Sequence, residues 1–209
     1  MSYAVKEIFL TLQGEGVQAG RRAVFCRFSG CNLWTGRERH RVGAICRFCD
    51  TDFVGTDGSE GGRYADAETL AGRIDALWGE GCGRFAVLTG GEPLLQLDCA
   101  LIDALHARGF EIAVETNGTV AAPAGIDWLC VSPKAGSEIV QRSGDELKLV
   151  WPQPGLDPAA LEAWDFPNRL VQPMDGPALA QATAAAMALV LERPAWRLSL
   201  QTHKLLGIR

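Results

Sequence analysis

Phe85-Ala86-Val87-Leu88-Thr89-Gly90-Gly91-Glu92-Pro93 is the stretch that decides the fold. Its short apolar run suits a strand buried on both faces of a parallel sheet. The paired glycines let the backbone approach a ligand closely and expose its amides, and the carboxylate behind them suits an ammonium group. Upstream, residues 65–78 place Leu70, Ile74 and Leu77 at helical spacing behind a candidate N-cap, Asp66. Downstream, residues 97–107 form a second helical pattern closed by Gly109. The order is that of βαβ units.

Working outward, strand-like runs cover residues 5–10, 23–28, 111–115, 128–132, 147–151, 170–172 and 197–201. A third helix is predicted over 177–191, with Pro177 in its first turn, and a short fourth from Pro158. Gly118, Pro123 and Gly125 break the interval before Trp128, and Pro133, Gly136 and Gly144 break the interval before Leu147. The expectation is an α/β domain over residues 1–209, a partial barrel or open sheet with fewer helices than strands.

In parallel α/β folds ligands gather at the carboxyl ends of the strands. Here Phe28 leads into a cysteine-bearing loop, 30–55, and Leu88 leads into Gly90-Gly91-Glu92. Further ends carry Glu115-Thr116-Asn117-Gly118, Ser132-Pro133-Lys134 and Gln172-Pro173-Met174-Asp175. Any one of these alone reads as a turn. Their recurrence at successive strand ends marks a site.

Cys31, Cys46 and Cys49 read C-x₁₄-C-x₂-C. Three clustered thiolates suit a [4Fe–4S] cluster with one iron left open for a small molecule. A closed zinc site needs a fourth ligand, which His40 is able to supply. On the cysteines alone both readings stand.

The chain carries a formal net charge of −5, against the basic footprint expected of a nucleic-acid binder. The segment Arg37-Glu38-Arg39-His40-Arg41 reads as a solvated loop face. The longest apolar stretch, 184–191, is too short to span a bilayer. Seven cysteines with no secretory pattern at the start point to a reducing, cytoplasmic setting rather than a disulfide framework. Cys26, Cys82, Cys99 and Cys130 sit among apolar neighbours and read as packed thiols. Lys148 reads as an edge lysine with its head in solvent, and His203 and Lys204 as exposed residues of a tail, 202–209.

The three cysteines, the aromatic Phe48 before the last of them, and Gly90-Gly91-Glu92-Pro93 together resemble the radical S-adenosylmethionine (SAM) enzymes. The first cysteine interval is longer than that family's usual C-x₃-C-x₂-C. More finely, Thr11-Leu12-Gln13-Gly14-Glu15-Gly16, Cys46-Arg47-Phe48-Cys49-Asp50-Thr51 and the small size are similar to the branch that makes 7-carboxy-7-deazaguanine, a 7-deazapurine of the queuosine pathway.

The resemblance implies a partial (β/α) barrel of radical SAM type. It implies that Cys31, Cys46 and Cys49 ligate three irons of a [4Fe–4S] cluster and that SAM chelates the fourth. Phe48, Gly91, Glu92, Ser132, Pro133, Lys134, Gln172, Pro173, Met174 and Asp175 would contact SAM. Leu12, Gln13, Gly14, Glu15, Arg27 and Gly90 would face a pterin, 6-carboxy-5,6,7,8-tetrahydropterin. Thr51 would ligate Mg²⁺, a hard cation that prefers oxygen. The resemblance further implies a flavodoxin-type electron donor and a homodimer. Two alternatives stand beside it: an activase that places a glycyl radical on a partner protein, and a non-catalytic zinc-binding module.

Overall fold

The computed structural model describes residues 2–209. Its elements are β1 (Tyr3–Leu12), β2 (Arg22–Phe28), β3 (Gly62–Tyr64), α1 (Ala67–Trp78), β4 (Phe85–Gly90), α2 (Cys99–His106), β5 (Glu111–Thr116), β6 (Trp128–Val131), β7 (Glu146–Trp151), α3 (Pro158–Leu161), β8 (Asn168–Pro173), α4 (Leu179–Glu192), β9 (Arg197–Leu198) and α5 (Thr202–Leu206). They form one nine-stranded sheet in the order β3-β1-β2-β4-β5-β6-β7-β8-β9. From β2 to β9 every neighbouring pair is parallel, while β1 runs antiparallel to both β2 and β3. The sheet does not close, which makes the architecture the expected partial barrel with fewer helices than strands.

The helices begin where the sequence offers caps. Asp66 accepts a bond from the Thr69 amide at 2.8 Å and starts α1. Asp98 accepts one from Leu101 at 3.0 Å, so α2 begins at Cys99, two residues later than expected. Asp157 caps the short α3 ahead of Pro158. Leu70 and Ile74 of α1 are fully buried, among the core residues that include Val24 and Cys26 of β2. Each such side chain contributes about 1.5–3 kcal/mol.

The sheet is not apolar on both faces. Alternation along β2 sends Val24, Cys26 and Phe28 into the core, while Phe25 and Arg27 line a cavity on the other face. Glu7 and Phe9 of β1 share that face, as do Glu115 of β5 and Lys148 of β7. The concave face is therefore a chamber lined by both charged and aromatic side chains.

Several expectations need correction. β3 went unread, because three residues are too few for a periodic signal. The tail is partly helical, as α5. Cys26 and Cys130 are buried, but Cys82 and Cys99 are exposed. Cys82 lies in a loop, and Cys99 opens α2 on its outer side. Arg41 does more than solvate a loop. It pairs with Glu38 at 2.8 Å, donates to the carbonyls of Arg47 and Cys49, and stacks over Trp34. Among the described residues no helix is long and apolar enough to cross a membrane.

Candidate active site

A cavity of about 380 Å³ opens on the concave face of the sheet. It joins the cysteine loop to the ends of β1, β2, β4, β5, β7 and β8 and to the C-terminal segment.

The cysteine loop forms one wall. Cys46, Phe48, Cys49 and Thr51 line the cavity. Cys31 does not line it but lies directly behind Gly91. A Cβ added to Gly91 would collide with the Gly30 carbonyl and stand 2.7 Å from Cys31 Cβ. Gly90 has φ +151°, and a Cβ there would strike the Phe28 backbone. These two glycines are what let the β4 turn press against the cysteine loop.

The three thiols differ electrostatically. A hydrogen bond with Cys46 pulls Cys49 down to about 6, and the same contact together with burial pushes Cys46 up. Burial also raises Cys31, against the amides of Leu33 and Trp34. Among the described residues no group of three His, Cys, Asp or Glu side chains converges on a single ion. Cluster cysteines each bind a different iron and need no such convergence. His40 is engaged elsewhere, with Nδ1 2.8 Å from Thr35 Oγ1 and Nε2 accepting from Arg39.

Glu92 is fully buried and is not among the residues that line the cavity, although its partners Thr116 and Asn117 are. It accepts from the amides of Leu94 and Asn117 at 3.0 and 2.7 Å and from Thr116 Oγ1 at 2.7 Å. Burial raises its carboxyl above the usual range despite these donors. Its place is to bind the turn after β4 to the turn after β5. Gly90 and Gly91 are what that turn presents to the cavity.

Ser132 and Lys134 line the cavity, and Lys134 Nζ donates to Ser132 Oγ at 2.7 Å. Burial lowers Lys134, whereas the nearby thiols favour its charge. Pro133 is buried outside the lining, and its carbonyl accepts from Gln153. Gln172, Pro173 and Asp175 line the cavity; Met174 is not among the lining residues, and its amide donates to the Trp151 carbonyl.

The same cavity is lined by Leu12, Gln13, Gly14, Glu15 and Arg27. Arg27 faces Glu7 across the β1–β2 ladder, with Nε 3.0 Å from Glu7 Oε1. Glu15 is paired with Lys148 at 2.6 Å. Burial pushes Glu15 up, but the charge and hydrogen bond of Lys148 outweigh it and hold the carboxyl down to about 2.

Several lining residues stood outside the predicted contact set. Lys148 is 4% exposed rather than solvated. Glu7, Glu115, His203, Lys204 and Arg209 also line the cavity. His203 packs against Gly14, and Lys204 bridges Asp50 and Asp175. A charged residue on a strand's inner face is the signal that was available for Lys148. None existed for the tail, whose partners are distant in the chain.

A three-cysteine loop against a glycine-paired strand end, on an open parallel sheet, defines a radical SAM enzyme. The Radical SAM superfamily profile matches residues 40–146, about half the chain, including Cys46, Cys49 and Glu92 though not Cys31. The chain is 66% identical to 7-carboxy-7-deazaguanine synthase of Bradyrhizobium diazoefficiens over the full length of both. It is 63% identical, again over both full lengths, to the protein of that name from Caulobacter vibrioides. The crystal structure of QueE from Escherichia coli superposes with a TM-score of 0.72 at 27% identity, covering 96% of this chain and 94% of that one. The chain belongs to the 7-carboxy-7-deazaguanine synthase family.

Proposed function

We infer that the chain converts 6-carboxy-5,6,7,8-tetrahydropterin to 7-carboxy-7-deazaguanine with loss of ammonia. The observation that carries this reading is that one cavity joins the cysteine loop to the Gln13, Glu15 and Arg27 wall. The full-length relatives displace the activase and zinc-module alternatives.

The residues present fit the family's cofactors. Cys31, Cys46 and Cys49 are free thiols in one loop, and they would hold a [4Fe–4S] cluster. Gly90 and Gly91 offer backbone beside them, with Phe48, Ser132, Lys134, Gln172 and Asp175 on the same cavity wall for SAM. Held there, cluster and SAM would supply radical hydrogen-atom abstraction from a substrate carbon.

The chain's own residues bind, orient and shield. The Glu7 contact uses Arg27 Nε, and a guanidinium carries four further N–H donors for the substrate carboxylate. Gln13 and Glu15 read ring N–H and carbonyl groups. Phe9 and Phe25, stacked with centroids 5.5 Å apart, give the chamber an apolar floor that excludes water. Thr51, with Asp50 and Asp52 beside it on the lining, is the site proposed for Mg²⁺. A flavodoxin-type donor and a homodimer complete the reading, on the strength of the family.

The test is an anaerobic assay. The reconstituted protein receives reductant, SAM, Mg²⁺ and 6-carboxytetrahydropterin, and products are followed by mass. Formation of 7-carboxy-7-deazaguanine establishes substrate and reaction together. Formation of 5′-deoxyadenosine and methionine alone would reject the substrate and retain the radical chemistry.

A further inference from the structure

Lys148 points from β7 into the chamber between two carboxylates from distant elements. Its Nζ lies 2.6 Å from Glu15 Oε2 and 3.7 Å from Glu115 Oε1. Each carboxylate has a second support. Gln201 Nε2 donates to Glu15 Oε1 at 2.9 Å, and Gln13 Nε2 donates to Glu115 Oε1 at 2.9 Å. The other groups facing this cluster are Glu146 and Cys130 from β7 and β6, Lys134 from the loop after β6, and His203 from α5. The Glu146 carboxylate is itself occupied, accepting from the Val17 amide at 2.9 Å and from the Cys130 thiol.

Two carboxylates share one lysine, so this corner of the cavity holds more acceptors than its own donors satisfy. That excess faces the cavity, where a ligand's N–H groups can take the place of water. An aminopyrimidine edge brings adjacent N–H donors with no charge of its own.

We propose that Lys148 is a positioning residue that holds Glu15 and Glu115 as a fixed pair of acceptors for a ring edge carrying adjacent N–H donors. The inference rests on the pterin reading above. Without the lysine, two like charges share a buried corner, and one carboxyl takes up a proton. A protonated carboxyl presents a donor where the ring needs an acceptor, and an unmatched buried group weakens binding. The present electrostatics agree. Burial pushes Lys148 down, but Glu115 and Glu15 more than compensate and hold it charged.

The experiment compares wild type and K148M as reconstituted enzymes with SAM and Mg²⁺, reading KM and kcat for 6-carboxytetrahydropterin from about pH 6 to 8. Iron content and SAM binding report folding. K148M is expected to raise KM by about tenfold or more, with a smaller change in kcat. Its kcat/KM should acquire an acid limb, falling as pH is lowered, where wild type shows none from these groups. If K148M fails to hold its cluster, K148M/E115Q, which leaves one carboxylate of the pair, is read against E115Q; it should keep its cluster, raise KM and show no acid limb, and an acid limb there would count against the like-charge account. An unchanged KM and pH profile, or a loss confined to kcat, would overturn the proposal. If wild type itself forms no 7-carboxy-7-deazaguanine, the pterin reading fails instead, and the two failures are distinguishable.

Discussion

Lys204 Nζ stands 2.6 Å from the carboxylate of Asp50, a residue 154 positions earlier in the chain. The same nitrogen lies 2.6 Å from Asp175 Oδ2. One side chain of α5 thus ties the cysteine loop to the loop that follows β8 across the cavity. Thr202 adds bonds to the Gly14 carbonyl, and Thr11 Oγ1 donates to the Arg209 carbonyl at 2.7 Å.

Both Lys204 pairs are more than a third exposed on one side or the other, so each contributes no more than about 1 kcal/mol to stability. K204A is therefore expected to leave the denaturation midpoint nearly unchanged. Its effect falls on the cavity, with KM for substrate or SAM raised severalfold. A large loss of stability with an unaltered KM would show that the bridge matters to folding and not to the site.

Glu92 makes the opposite prediction. E92A leaves the Leu94 and Asn117 amides and the Thr116 hydroxyl without their acceptor in a fully buried place. The expected loss is about 3 kcal/mol or more, measured by urea unfolding of the cofactor-free protein. E92Q keeps one acceptor oxygen and should lose less. Equal stability of E92A and wild type would rule out the bracing role.

The cysteines divide into the loop set Cys31, Cys46 and Cys49, a buried pair, Cys26 and Cys130, and an exposed pair, Cys82 and Cys99. C31A, C46A and C49A should each abolish retention of a full iron complement, seen in the visible absorption and by iron analysis. C82A and C99A change exposed residues and should keep the cluster, with stability within about 0.5 kcal/mol of wild type. Full iron loading in C31A would remove Cys31 from the ligand set.

Acid stability should carry the signature of Glu15. Its folded carboxyl is held down to about 2 against an ordinary value of 4.5. A depressed folded value means that the stabilising contribution is complete above 4.5 and is lost as pH falls toward 2. Acid titration of the cofactor-free protein by circular dichroism should show this loss, and E15Q should flatten it. Superimposable curves would mean that the Glu15–Lys148 pair does not form in solution.

What was legible in the sequence had local causes. Asp66 and Pro158 announced their helices because a cap bonds an amide three residues away and a proline suits a first turn. Gly90 and Gly91 announced a close approach because only glycine leaves room for the Gly30 carbonyl and Phe28 backbone. Cys46 and Cys49 share one short segment, so their cooperation was visible before folding. Glu92 belongs to the same motif as Gly90 and Gly91, and the structure adds that its carboxylate braces the turns after β4 and β5 through Leu94, Thr116 and Asn117.

The sequence by itself determined the βαβ order, the partial-barrel class, the cysteine loop and the strand ends that bear the site. Apolar runs, breakers and caps act over a few residues, and their spacing survives in the linear chain. Only the tertiary structure decided that Lys148 is buried between Glu15 and Glu115, that Arg27 faces Glu7, and that Lys204 reaches Asp50. Those relationships depend on curvature of the sheet, which brings the inner faces of β1, β2, β5 and β7 around one chamber. A charged side chain on such a face looks like a solvated one until the strands that carry its partners are set beside it.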